Sequence, residues 1–369
     1  MRVTWDQVFA WRLRRQYVES RADDGAVEVA RRLCGVQSQV TSAAELAVAL
    51  RSMKPDSSAL VRSLDDGTLM KTWAMRGTLH TLTPDLAAAC LALIGSARTW
   101  EKPSWQKNFG ASPTEVAALS EVVARVLDGV VLSRAELVDA VVSEPGFHRL
   151  GAELRSGWGA LLKPLAWQGV LCHGPARGAK VTFTSPAHLV RDWKGLPDPD
   201  AAAPLAIIGY LGAYGPATPE AFDAWLSRGS LRKATVRRWF AESEDRLGEV
   251  EVEGRRGFLP TEHLDDLAAT RPATSVHLLG AFDQYVLGPG TGDGVLLPGD
   301  HRAKVSRTAG WISPIVVAGG RIVGTWELAD DAIEIAMFDG APLPKRELDA
   351  AIERVALVTG REMLTARAV

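Results

Sequence analysis

No apolar stretch in these 369 residues approaches the roughly 18 needed to cross a bilayer as a helix. The opening segment, MRVTWDQVFAWRLRRQ, has a polar residue every second or third position, so it does not read as a secretory leader. Cysteine is scarce. Cys34, Cys90 and Cys172 are scattered, with no CxxC and no metal-ligand spacing, which fits a reducing cytoplasm and excludes a disulfide framework. The seven histidines are equally dispersed, so no metal site is expected. GxSxG, HExxH, a P-loop and a glycine-rich dinucleotide fingerprint after a strand are all missing. LGPGTGDG (287–294) is rich in glycine but precedes no helix and reads as a loop, so no cofactor is implied.

Excess positive charge is also lacking. A net charge of -2 excludes a uniformly basic nucleic-acid coat but not binding, because phosphate affinity depends on where the cations sit. Arg outnumbers Lys about three to one, which a GC-rich genome explains without function, although Arg is the better phosphate donor wherever it faces one. With hydrophobic residues at 47% and charged ones at 23%, the composition is that of an ordinary globular protein, and the length suggests two or three packed units.

What is present is a repeated pattern. Helical runs near 4–20, 25–36, 43–52 and 57–66 lead to LMKTWAM and TLHTLT, two strands linked at Gly77. Runs near 114–128, 133–143 and 151–168 lead to VLCH and KVTFT. Runs near 203–213, 218–227 and 230–241 lead to a hairpin turning between Gly254 and Gly257. SPTEVAAL signals a helix start with Ser112 at the N-cap, Pro113 in the first turn and Glu115 at N3, and TPEAFDAW repeats the device with Thr218 and Pro219. Three helices and a two-stranded wing make a winged helix-turn-helix, so three such units are expected in tandem. The pattern also occurs in domains that bind only protein. Residues 261–369 change character: WISPIVV and RIVGTWEL around AGG predict a hairpin, and a final helix is expected near 345–358. KGLPDPDAAAP (194–204) is the linker candidate.

Several segments are candidates for contact with phosphate. In WAMRGTLH, Arg76 and His80 are expected at or near a wing tip, unless Arg76 merely pairs with a surface carboxylate. AFDQYVLGPG and GDHRAKVSR place Asp283, Tyr285, His301, Arg302, Lys304 and Arg307 in expected loops. The cations there could face phosphate with Asp283 orienting one of them, or form a solvated charged loop. RGSLRKATVRRWF carries Arg232, Lys233, Arg237 and Arg238 on a helix, a basic stripe partly cancelled by the acidic residues that follow. Gln37 and Gln39, in GVQSQV, read by themselves as surface or capping amides.

Taken together, GVQSQV, WAMRGTLHTLTPD, LLGAFDQYVLG, DHRAKV and GWISPIVVAGGRIVGTWE resemble the AlkZ/YcaQ-like winged-helix DNA glycosylases, in the right order over nearly the whole chain, and are closest to the AlkZ-type branch. The resemblance reverses the bland reading of the glutamines. The family's catalytic Gln-x-Gln motif, Gln-x-Asp in the YcaQ-like branch, falls on Gln37 and Gln39. It implies a monofunctional glycosylase that excises alkylated purines and leaves an abasic site. AlkZ-type members unhook interstrand crosslinks and confer self-resistance in a producer of the crosslinking antibiotic azinomycin.

The expected fold is α+β and mainly helical: winged-helix units over 1–110 (with the Gln-x-Gln motif), 111–195 and 200–260, then a strand-containing unit over 261–369, forming an open concave channel. The hairpin at 311–328 would probe a groove or pack against the body. The expected partner is double-stranded DNA carrying alkylated purines or crosslinks, bound by a monomer in the cytoplasm, at the nucleoid and not at a membrane. A non-catalytic winged-helix transcription regulator is the competing reading, with a protein-interaction scaffold behind it.

Overall fold

Thr4, Ser112, Ser133 and Thr218 each begin a helix because the side-chain oxygen accepts an N–H that the first turn leaves unpaired. At Ser112 the Glu115 carboxylate reaches back to the Ser112 N–H, closing the capping box its spacing signals. The computed structural model describes residues 1–369 except 24, 330, 331, 341, 342, 363 and 369.

Strand β1 (Arg2–Val3) and helices α1 (Trp5–Arg15) and α2 (Gly25–Arg32) lead to strand β2 (Val36–Gln37). Helices α3 (Thr41–Arg51) and α4 (Ala59–Asp65), the hairpin β3 (Met70–Trp73) and β4 (Leu79–Leu82), and helices α5 (Pro84–Ser96) and α6 (Pro103–Phe109) follow. Next come α7 (Pro113–Val126), β5 (Leu132–Ser133), α8 (Arg134–Ser143), α9 (Gly151–Arg155), α10 (Leu162–Trp167), the hairpin β6 (Cys172–His173) and β7 (Thr182–Thr184), and α11 (Pro186–Leu189). Helices α12 (Pro199–Tyr214), α13 (Pro219–Ser227) and α14 (Lys233–Ala241) precede β8 (Leu247–Val252), β9 (Arg255–Pro260) and α15 (Leu264–Ala269). The remainder holds β10 (Val276–Leu279), α16 (Gln284–Leu287), α17 (Arg302–Val305), β11 (Ile315–Ala318), β12 (Arg321–Leu328), β13 (Ala332–Met337), α18 (Lys345–Thr359) and β14 (Thr365–Ala368).

The fold is thus mixed and rich in helix. Hairpins form where the turn residues signal them, but they do not stand apart. The first two merge: Lys71 in β3 pairs with His173 in β6, giving one six-stranded sheet in the order β2-β4-β3-β6-β7-β5. The third hairpin gains β1 as a parallel neighbour of β8. Strands β10 to β14 form a five-stranded sheet in sequence order.

Helices α5 and α12 pack on each other and carry the largest core. Leu86, Leu91, Ile207, Leu211, Phe222, Trp225 and Trp239 are all buried there. Both helices are apolar almost all round, as fully enclosed helices must be. Burial of this kind contributes about 1.5–3 kcal/mol per large side chain.

Two sequence expectations need correction. The helix expected over 151–168 breaks into α9 and α10, because Gly157-Trp158-Gly159 intervenes with Gly159 at a positive φ. The linker over 194–204 ends at Asp198, whose side chain caps α12, so the second half of that segment belongs to a core helix. The 311–328 hairpin lies inside the five-stranded sheet, with β11 paired to β10 and β12 to β13. Its Gly319-Gly320 turn packs on α1, where a Cβ on Gly320 would come within 2.3 Å of Phe9 Cβ.

Candidate active site and nucleic-acid interface

Gly35 has φ +105°, and a Cβ there would lie 2.9 Å from Met75 Cε, so glycine alone lets the chain leave α2 and enter β2 directly. β2 is the edge strand of the six-stranded sheet, with Val36 opposite Thr81 and Gln37 opposite His80. Ser38 locks this register. Its N–H donates to Leu79 O at 2.8 Å and its Oγ lies 2.8 Å from Thr81 Oγ1. Because side chains alternate along extended backbone, Ser38 faces one side with Val36 and Gln37 the other, while Gln39 lies in the bend that follows the strand. Gln39 is exposed, and its Oε1 accepts the Leu79 N–H at 3.3 Å. Gln37 is only 7% exposed, and its Oε1 has no hydrogen-bond partner among the described residues.

Over the next two strands, the same row continues. His80 faces Gln37 on one side and Thr72 on the other. His80 is fully buried. Its Nδ1 lies 3.1 Å from Thr78 O, which assigns the proton to Nδ1 and leaves Nε2 a bare acceptor without a partner. Burial, and secondarily the positive charge of Arg76, lower its pKa to about 3. Thr72 Oγ1 also lacks a partner. Three consecutive positions across one sheet therefore hold buried polar atoms left unsatisfied by the protein.

His80 and Arg76 do not stand at an exposed wing tip. The turn between β3 and β4, with Arg76 at φ 58°, docks against α13 and α16 instead. Arg76 Nη1 donates to Trp225 O and Leu287 O, each at 3.2 Å, and Nη2 is enclosed without a partner. Arg76 is an interior strut, paired with no carboxylate.

Asp283 and Tyr285 are likewise interior rather than in a phosphate-facing loop. Asp283 caps α16 and forms a fully buried bidentate pair with Arg51, at 2.7 and 2.8 Å. Arg51 also donates to Gln16 O and Ala47 O. Arg51 had gone unnoticed in the sequence; the one signal for it was a cation closing the apolar run AVAL. The Tyr285 hydroxyl donates to Gly320 O at 2.6 Å. His301 stacks on Phe338 and lies 3.2 Å from Asp339, so it is half-buried beside a carboxylate.

Arg302, Lys304 and Arg307 remain on the surface, around the short helix α17. Arg302 donates to Thr291 Oγ1, Lys304 sits over Phe338, and Arg307 lies 3.7 Å from Glu327. The basic stripe on α14 is largely neutralised. Arg237 pairs with Glu220, and Arg238 with Asp200 and Glu242. Arg232 is exposed and lines a cleft of about 740 Å³ together with Arg98 and Lys102. That cleft includes neither glutamine. A second cleft, of about 480 Å³, opens immediately after Gln39 and is lined by Val40, Ala43, Leu46, Trp311, Pro314 and Trp326.

Among the described residues no three His, Cys, Asp or Glu side chains converge as a metal site, and no helix is long and apolar enough to cross a membrane. The arrangement offers neutral amide and imidazole acceptors at a sheet edge, beside an aromatic cleft. A family model described as DNA glycosylase AlkZ-like matches residues 30–358. The interstrand DNA cross-link repair glycosylase of Streptomyces sahachiroi is 52% identical over 371 residues, covering 100% of both sequences. The solved structure of Streptomyces sahachiroi DNA glycosylase AlkZ aligns over 100% of each chain at a TM-score of 0.97. The chain belongs to the AlkZ-like DNA glycosylases, enzymes that hydrolyse N-glycosyl bonds.

Proposed function

We propose that this glycosylase excises N7-alkylated purines from duplex DNA and unhooks interstrand crosslinks, with Gln37 and Gln39 as its catalytic residues. An N7-alkylguanine is already cationic, so it leaves as a neutral base without being protonated first. As the C1′–N9 bond breaks, the sugar becomes oxocarbenium-like, as in glycoside hydrolysis. What remains for the protein is to hold a water beneath C1′ and to face the cation with carbonyl oxygen. Neutral amides suffice for that, and the absence of Lys from the motif leaves hydrolysis to an abasic site.

The observation that carries this reading is the Gln37 Oε1, nearly buried at a sheet edge with no partner among the described residues. Full-length similarity to a cross-link repair glycosylase supports the substrate class. A crosslinked base is tethered to the opposite strand and cannot be flipped into a closed pocket, so an open channel along tandem winged-helix units (1–110, 111–195 and 200–260, with 261–369 behind them) suits it. The cleft that begins at Val40, with the exposed Trp311, supports a place for the extruded purine to stack. Arg232, Arg302, Lys304 and Arg307 are the surface cations proposed to meet phosphate. The protein acts as a monomer, at the nucleoid in the cytoplasm, in this reading.

The test is incubation with an N7-methylguanine duplex and with a defined N7–N7 crosslink, followed by mass spectrometry of the freed base. Wild type is expected to release base from both. Gln37→Ala and Gln39→Ala are expected to lose about 100-fold or more in single-turnover rate while binding DNA normally. Sequence-selective binding without base release would favour the regulator reading instead.

A further inference from the structure

The two glutamines are not equivalent acceptors. Gln39 Oε1 already takes the Leu79 N–H, whereas Gln37 Oε1 is uncommitted. A water held for attack on C1′ presents two hydrogens, and Gln37 can accept one. The uncommitted acceptor on the neighbouring strand is His80 Nε2, on the residue directly opposite Gln37, while Thr72 Oγ1 lies one strand further in. Facing residues on antiparallel strands carry their Cβ atoms about 4.5–5.5 Å apart, a spacing that one bridging water fits between side-chain tips. Two buried acceptors side by side repel each other unless a donor with two hydrogens lies between them.

We infer that His80 is a further catalytic residue: its Nε2 accepts the second hydrogen of the hydrolytic water held by Gln37, leaving the exposed Gln39 to face the deoxyribose. This assignment rests on the proposed glycosylase reading. The surroundings keep the imidazole in the required form. Thr78 O holds the proton on Nδ1, and burial together with the Arg76 guanidinium disfavours the imidazolium, which would offer a donor where an acceptor is needed. In the step itself the water oxygen forms a bond to C1′ as the C1′–N9 pair departs with the purine. The cationic purine becomes neutral, the sugar gains a hydroxyl, and the surplus proton passes to solvent. His80 orients the water and ends the turnover unprotonated.

The test uses the full chain and an N7-methylguanine duplex under single-turnover conditions. His80→Gln keeps an amide atom near the Nε2 position, whereas His80→Asn is polar but too short and His80→Leu has no acceptor. His80→Leu and His80→Asn are expected to lose about 100-fold in excision rate with DNA affinity within about threefold of wild type, and His80→Gln to recover at least about tenfold of that loss. Equal rates for the Gln and Asn variants, or a Leu variant within threefold of wild type, would overturn the assignment while Gln37→Ala inactivity kept the glycosylase reading intact. Failure of wild type to release base would sink both. A readout independent of folding is the ¹⁵N spectrum of His80 in the wild-type protein: a bare Nε2 is expected, and a protonated Nε2 at neutral pH overturns the proposal.

Discussion

Asp283 and Gln37 are both buried, the first against α3 and the second at the edge of the six-stranded sheet. The Asp283–Arg51 pair is itself well satisfied, although the neighbouring Gln284 Nε2 and Gln16 Oε1 have no partner among the described residues. The Asp283 carboxylate takes two bonds from Arg51 and one from the Tyr285 N–H, and Arg51 gives two further donors to Gln16 O and Ala47 O. Around Gln37 the protein leaves Gln37 Oε1, His80 Nε2 and Thr72 Oγ1 without partners. Burying a polar atom unsatisfied costs about 1–3 kcal/mol, a cost that the Asp283–Arg51 pair avoids and the row does not. The saturated pair ties α3 to α16; of the unsaturated row only Gln37 reaches the surface.

Mutation should separate the two regions, and the largest effect should come at the saturated one. Asp283→Ala strands the Arg51 guanidinium in the interior and is expected to cost about 3–5 kcal/mol, read as a lower urea midpoint with an unchanged m-value. A loss below about 1 kcal/mol would mean the pair is not the brace described.

The next effect is pH-dependent. The folded-state pKa of His80, about 3, lies below its unfolded value, so the unfolded chain binds the proton more readily. Stability from keeping this imidazole neutral is complete above the unfolded pKa near 6.5 and is lost as pH falls from there toward about 3. At pH 5 the expected loss from His80 is about 2 kcal/mol relative to pH 7. His173, lowered to about 3 for the same reason, adds to it. Denaturant titrations of wild type and His80→Gln at both pH values should show the variant missing its share; identical slopes would refute the burial of His80 as a neutral acceptor.

The smallest effect sharpens the contrast most. Gln37→Leu removes an unsatisfied buried carbonyl and is expected to leave stability unchanged or raise it by up to about 1 kcal/mol, while abolishing excision. Destabilisation comparable to Asp283→Ala would place Gln37 among structural residues.

Much of the local architecture was legible. Turn glycines marked the four hairpins, Ser112 and Thr218 marked helix starts, and the helices expected near 114–128 and 345–358 are α7 and α18. Helix α5 escaped because PDLAAACLALIGS is apolar on every side and has no period to read. Strand β2 escaped because two residues carry no alternation. Arg76 and His80 looked like tip residues because a glycine turn usually faces solvent; here it meets α13 and α16 instead.

By itself the sequence determined most of the elements and the resemblance of GVQSQV, at Gln37 and Gln39, to the family motif, because caps, turns and periodicity act over a few residues. Only the tertiary structure decided that two hairpins fuse into one sheet, that Asp283 serves Arg51 at a separation of 232 residues, and that His80 comes to lie beside Gln37. Those outcomes depend on which surfaces meet, and whether a buried polar atom is satisfied is settled by its neighbours in space, not by its neighbours along the chain.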